Sequence, residues 1–261
     1  MTPPPVIDED RVSSAFPIDT PCSLGDKVSL LLLQEAVVAL LGDYQYFEIG
    51  SGQGGSLYPH LVQARCTRAY SLDPRPWIHT GTDQMEFPGP TSSKEMAKTL
   101  FMTLCGDTQL KKLTAIEATS DAPHETFREA GRSIKAHFFF WDGDPTWFRS
   151  DFELCLRLSP PQAVYVVQGA PGLASELREM IGHVLHLTDQ VMAYPLVDTL
   201  FVITKNLPLH RYTPLQAHLL EYGHLPYLTA LQAQEKYQAF YRRPLFRWWR
   251  GLVAMLSGKR A

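Results

Sequence analysis

Long apolar runs are absent from this chain. No stretch of about 18 apolar residues occurs among its 261 residues, which excludes a helix that spans a bilayer. Cysteine is scarce: Cys22, Cys66, Cys105 and Cys155 stand far apart and form no CxxC pair. That spacing argues against a zinc site or a disulfide framework and predicts buried thiols in a reducing compartment. An excess of positive charge is also lacking. The net charge is −3, which argues against general nucleic-acid binding. The opening MTPPPVIDED has neither a basic segment nor an apolar core, so no secretory signal is expected and a cytoplasmic setting is. The nine histidines show no metal-ligand spacing. His183 and His186 straddle an expected helix-to-strand junction, and His218 and His224 lie among aromatics. All are expected on the surface or in packing contacts, and no metal is expected.

What is present is a chain of one-domain size. Its 261 residues are 45% hydrophobic, enough for one α/β domain with appendages. Residues 1–23, rich in proline and acids, are expected to form a flexible arm. Residues 24–207 carry the periodic pattern, and residues 208–261 read as a helical extension. A helix is expected over 29–41, with a broad apolar surface that suits packing on a sheet. Strands are expected at 44–49, 68–72, 113–118, 136–141 and 163–167, with helices over 55–64, 92–104, 123–132, 147–158 and 173–183. The run AHFFFW at 136–141 is continuously apolar, as in a strand covered on both faces. Two last strands, 184–192 and 199–204, are joined by a link too short for a crossover helix, so they read as antiparallel. Strand and helix in alternation predict a doubly wound sheet. The segment 77–91 is an irregular insertion.

The chemistry concentrates at strand ends. The stretch Glu48-Ile49-Gly50-Ser51-Gly52-Gln53-Gly54-Gly55 is a strand end followed by a glycine turn that lets a ligand approach the backbone. Asp73 stands about 20 residues further on, where a carboxylate can accept hydrogen bonds from a ribose diol. Gly50-x-Gly52-x-x-Gly55 also satisfies the dinucleotide pattern, so a nicotinamide oxidoreductase is an alternative. Glu48 weighs against it, because a negative charge beside the turn disfavours a pyrophosphate. Thr119, Ser120 and Asp121 follow the third expected strand, and Asp142 to Asp144 follow the fourth. Ligands in open α/β sheets bind beyond such carboxyl ends.

The motif Glu48-Ile49-Gly50-Ser51-Gly52-Gln53-Gly54-Gly55, with Asp73 and the terminal hairpin, resembles the class I S-adenosylmethionine-dependent methyltransferases. Ser71-Leu72-Asp73-Pro74-Arg75, Phe140-Trp141-Asp142-Gly143-Asp144-Pro145 and Asp151-Phe152 are most similar to the bacterial group related to cephalosporin-hydroxylase-like proteins. The resemblance covers about residues 25–206. It implies a Rossmann-like, seven-stranded, mostly parallel sheet ending in an antiparallel hairpin. It implies S-adenosylmethionine as cofactor, with Glu48, Gly50, Ser51, Gly52 and Gly54 around the methionine and sulfonium, Asp73 on the ribose, and Thr119, Ser120 and Asp121 near the adenine. Methyl transfer to an oxygen or nitrogen of a small-molecule or polymer-linked acceptor follows from it. Asp142 and Asp144 are then the candidate bases.

The pattern departs from the family after the fifth strand. Related proteins carry acids or a His-Asp pair there, and this chain reads Gln168-Gly169-Ala170. That loss lowers the expectation of a metal and motivates a second alternative, a non-catalytic cofactor-binding or scaffold protein. Trp147, the insertion and the tail are candidates to shape the acceptor pocket. Within the tail, 237–256 combines aromatic, basic and apolar residues, which suits a homo-oligomer contact or a peripheral contact with the inner face of a membrane.

Overall fold

The computed structural model describes residues 7–52, 54–73, 93–187, 191–196 and 198–222. The insertion at 77–91 and the tail segment 237–256 lie outside the described residues.

Seven strands form one sheet: β1 (Tyr44–Ile49), β2 (Cys66–Leu72), β3 (Leu113–Ile116), β4 (Phe138–Trp141), β5 (Ala163–Val167), β6 (Val191–Pro195) and β7 (Phe201–Lys205). Their order is β3-β2-β1-β4-β5-β7-β6. The first five run parallel, while β7 pairs antiparallel with both β5 and β6. This is the seven-stranded, doubly wound sheet with a terminal hairpin expected from the sequence. Residue alternation separates two cores. Tyr44, Tyr46, Phe138, Phe140, Val164 and Val166 face α2 (Leu24–Leu41). Phe47, Ile49, Phe139, Trp141, Tyr165 and Val167 face α5 (Phe148–Leu158) and α6 (Ala174–Leu187). The FFFW run is therefore buried on both sides, which is why it lacks alternation.

Capping begins α2 early. The Ser23 hydroxyl accepts from the Asp26 N–H at 3.0 Å, and the Asp26 carboxylate accepts from the Ser23 N–H at 3.4 Å. Asp26 also accepts from the Thr199 hydroxyl at 2.8 Å, which ties the helix to the turn before β7.

Four local expectations are corrected. First, residues 7–23 are docked rather than arm-like. The helix α1 (Glu9–Ala15) is capped by Asp8, and Val12, Phe16, Ile18 and Cys22 are buried. Their apolar surface outweighs the acidic composition around them. Second, 123–132 is not a helix. A 3-10 turn, His124–Phe127, leads into a two-residue antiparallel ribbon, Arg128–Glu129 with Arg132–Ser133. Ala130 and Gly131 both have positive φ (47° and 76°), the signature of a tight hairpin turn. Third, α6 runs on to Leu187, and β6 starts only at Val191. Leu177, Met180 and Val184 continue one buried helical stripe, which claims the residues read as strand. Fourth, the helix after the glycine turn is only α3 (Tyr58–Val62), with turns in place of its expected first residues.

The helix α4 (Ser93–Leu110) breaks at Gly106, where φ is 77° and ψ 172°. After β7, α7 (Thr213–Tyr222) packs on α2. Ser29 hydrogen-bonds His218 Nε2 at 2.9 Å, and the Tyr212 hydroxyl donates to Glu35 at 2.8 Å.

Candidate functional site

Register places the site. Ile49 lies beside Leu72 and Trp141, Leu72 beside Ile116, and Trp141 beside Val167. The five parallel strands thus end flush, and Gly50, Asp73, Asp142 and Gln168 leave four of them in a row. The Asp142 N–H donates to the Ile49 carbonyl at 2.9 Å, the Asp73 N–H to the Ile116 carbonyl at 3.1 Å, and the Gln168 N–H to the Trp141 carbonyl at 2.9 Å. Each residue beyond a strand end is held by the strand next to it.

The glycine turn is built from distinct contacts. Gly50 has φ +80°, and an added Cβ would fall 2.2 Å from the Asp142 carbonyl oxygen. Its absence lets the ends of β1 and β4 press together. Gly52 differs: a Cβ there would meet nothing within 4 Å among the described residues. Its N–H donates to the Asp73 carboxylate at 3.2 Å. The other two glycines serve packing. Gly54 lies against the buried ring of Phe101, and Gly55 lies under the backbone of Ile18 and Asp19. Ser51 and Ser71 join their hydroxyls beneath the turn.

Glu48 is fully buried, with 0% exposure. One carboxylate oxygen accepts from the Ser56 hydroxyl at 2.5 Å and the other from the Tyr46 hydroxyl at 2.9 Å. Among the described residues no cation pairs with it. Burial pushes its carboxyl up to about 7, against the pull of the two hydroxyls, with Asp142 and Asp73 adding to the rise. Behind it, the Tyr46 ring stacks on His60, with centroids 3.6 Å apart. His60 Nδ1 hydrogen-bonds the Tyr44 hydroxyl at 2.8 Å, and Gln34 donates to the same hydroxyl at 3.1 Å. Burial lowers His60 to about 3, so the ring is neutral.

The remaining expected residues divide between the crevice and local structure. Burial raises Asp142 to about 6 at the end of β4. Asp144 is a cap: its carboxylate accepts from the Thr146 N–H at 2.8 Å, which holds it below the usual range. The Thr119 hydroxyl donates to Asp121. Ser120 is buried and hydrogen-bonds Ser150 of α5 at 3.0 Å. Asp151 accepts from Trp141 Nε1 at 2.7 Å and braces the loop around Gly143.

Three participants carry no signal at the level of motif. Cys22 lies across the end of β5, with its thiol 3.3 Å from Gln168 Oε1, though the two are 146 positions apart in the chain. Burial pushes that thiol up to about 12, so it is no nucleophile. Ser56 and Tyr46 were within reach of sequence reasoning. Tyr46 shares a strand face with Glu48 two positions on, and Ser56 ends the glycine turn. Among the described residues, no group of three His, Cys, Asp or Glu is placed to hold a metal ion, and no helix is long and apolar enough to cross a membrane.

No protein-family model matches the chain, and no curated protein matches it in sequence. Solved structures do match its shape. One is the O-methyltransferase TomG from Streptomyces achromogenes, involved in tomaymycin synthesis and solved with S-adenosylmethionine. It is 16% identical, with 77% of this chain and 90% of that chain covered, at a TM-score of 0.50. Another is an O-methyltransferase from Bacillus cereus in complex with S-adenosylhomocysteine. It is 13% identical, with 77% of this chain and 92% of that chain covered, at a TM-score of 0.51. The fold of this chain is the Rossmann-like fold of class I methyltransferases.

Proposed function

We propose that this chain binds S-adenosylmethionine and transfers its methyl group to an oxygen or nitrogen of a small-molecule or polymer-linked acceptor. One observation carries the reading: the Gly52 N–H, bonded to the Asp73 carboxylate, sits at the flush carboxyl ends of a sheet with this strand order. Among the described residues no atom would meet a Cβ at Gly52, which leaves a face on which a ligand can lie. Asp73 then reaches its diol from the end of β2, and Ser120 and Asp121 stand one strand further out, on the adenine side. The antiparallel β7, inserted between β5 and β6, supports this reading over the nicotinamide alternative.

When bound, the cofactor supplies an electrophilic methyl group on a sulfonium. The chain's own task is positioning, because a sulfonium needs little further activation and alignment supplies much of the rate. Of the two candidate bases, Asp142 is the better placed. Its carboxyl is half-buried and titrates near the pH at which a base works best. Asp144 serves the loop instead.

Calorimetry of the full chain with S-adenosylmethionine, S-adenosylhomocysteine and NAD tests the reading. Binding of the two sulfur ligands is expected; binding of NAD alone would replace it with the oxidoreductase. Binding without turnover on any offered acceptor would favour the scaffold alternative. Asp73→Ala should weaken both sulfur ligands by about 10- to 100-fold, the worth of hydrogen bonds to a charged acceptor. An unchanged affinity removes Asp73 from the site. Gly52→Ala should lower stability by only about 1 kcal/mol, from the left-handed backbone. Its effect on binding should be larger, because the new methyl occupies the face given to the ligand. Circular dichroism melts and calorimetry on the same sample separate the two effects.

A further inference from the structure

Glu48 stands among the residues expected around the cofactor's methionine and sulfonium, yet it has no exposed surface with which to touch either. It is wholly covered by protein, and both its oxygens are engaged. We propose, resting on the cofactor reading above, that Glu48 is the charge by which the site tells the cationic methyl donor from its neutral thioether product.

The choice of partners supports this role. An arginine or lysine beside Glu48 would serve only the anion. Tyr46 and Ser56 are hydroxyls, which donate to a carboxylate or accept from a carboxyl by rotating the proton. Both protonation states are therefore accommodated without moving a heavy atom. The groups that face Glu48 are Tyr46 on its own strand, neutral His60 of α3 behind that ring, the Cys22 thiol before α2, Asp142 after β4 and Asp73 after β2. None is a cation. Burial and the two carboxylates set the balance close to neutrality, so a modest added field decides it. A sulfonium in the crevice supplies such a field and expels the proton to solvent. The thioether product differs from the donor only in lacking the methyl group and the charge. Donor binding is thus coupled to loss of a proton from Glu48, and product binding is not. Loss of the sulfonium charge on transfer weakens the hold on the product.

Affinities of both ligands for the full chain, measured by calorimetry between about pH 5.5 and pH 8, test the proposal. For one displaced unit of pKa, the donor-to-product affinity ratio should rise about sevenfold across that span. The larger part of that rise should vanish in Glu48→Gln, leaving the smaller rise that Asp142 contributes. Titration of the ligand's own amino group is common to both proteins and cancels from their comparison. A second readout needs no variant. In protein labelled with ¹³C at glutamate carboxyls, the resonance that titrates nearest neutrality should move to lower pH with the donor and stay with the product. If wild type and variant show the same ratio at every pH, or that resonance ignores the donor, the proposal falls while the cofactor reading stands. If neither ligand binds at any pH, both fall.

Discussion

A methyl group added at Gly50 is expected to destabilise the protein by about 2–5 kcal/mol, the sum of left-handed backbone strain and overpacking. The contact is with backbone, which makes the estimate firm in sign. The new Cβ would lie 2.2 Å from the Asp142 carbonyl oxygen, 2.6 Å from its carbon and 3.0 Å from the Gly143 nitrogen. None of these is the end of a side chain that can rotate away. Relief requires β1 and β4 to part, yet the Asp142 N–H is bonded to the Ile49 carbonyl one residue away. Total stabilities of single domains run to about 5–15 kcal/mol, so Gly50→Ala should shift the urea midpoint strongly or prevent folding. Gly52→Ala, two positions on, is the control, because its methyl meets no atom of the described residues within 4 Å. Equal losses in the two variants would mean that positive φ alone sets the cost and that the approach of Asp142 has no part in it. Loss of ligand binding in Gly50→Ala would follow from the same movement, since Asp142 and the turn are set by one contact.

The glycines show what a sequence reveals and what it hides. A strand followed by Gly50-x-Gly52 and an acid at Asp73 is legible because the chemistry is local and the spacing is fixed by one strand–turn–strand unit. The sheet was legible for a similar reason: FFFW and AVYVV are apolar without alternation, which happens only when both faces are covered. The reason for each glycine was hidden. Sequence reasoning gave the whole turn to the ligand, whereas Gly50, Gly54 and Gly55 are required by Asp142, Phe101 and Ile18–Asp19 respectively. Those partners come from distant parts of the chain, and no spacing rule connects them. The docked segment before α2 was hidden too. Its composition reads as disordered, yet four buried apolar residues, Val12, Phe16, Ile18 and Cys22, help to hold it down. Glu48 was read by charge alone, as a partner for a cationic ligand. Tyr46 and Ser56, its actual partners, lie two and eight positions away, so the correction was within reach of the strand's two-residue period.

Three buried groups should make this protein more stable as the pH falls from about 7 to 4.5, by about 2 kcal/mol, with a downturn through His60 only below about pH 4. His60 titrates at about 3 when folded against 6.5 when free, because burial disfavours its cation. The unfolded chain therefore binds the extra proton between these values. The stability His60 contributes is intact above pH 6.5 and falls as the pH drops through 3, by about 5 kcal/mol in all. Glu48 acts in the opposite sense. Its folded value of about 7 exceeds the free 4.5, so its contribution is complete below 4.5 and is lost as the pH rises through 7. Asp142, raised from 3.8 to about 6, has the same sign. Between about pH 4.5 and 6 one loss at His60 meets gains at two carboxyls, so the stability rises by about 1 kcal/mol as the pH falls through that window. Below about pH 3.8 both gains are complete and only the last part of the loss at His60 continues. Urea unfolding at half-unit steps of pH measures this directly. Glu48→Gln removes one gain, so the rise should disappear, with His60 and Asp142 nearly cancelling between about pH 4.5 and 6. His60→Gln keeps a hydrogen-bonding group for Tyr44 and loses the stack on Tyr46, so it should be weaker at neutral pH and gain stability more steeply towards acid. An unaltered slope in His60→Gln would remove His60 from the balance. The two variants thus pull the curve in opposite directions from one buried cluster, with Tyr46 stacked on one titrating group and bonded to the other.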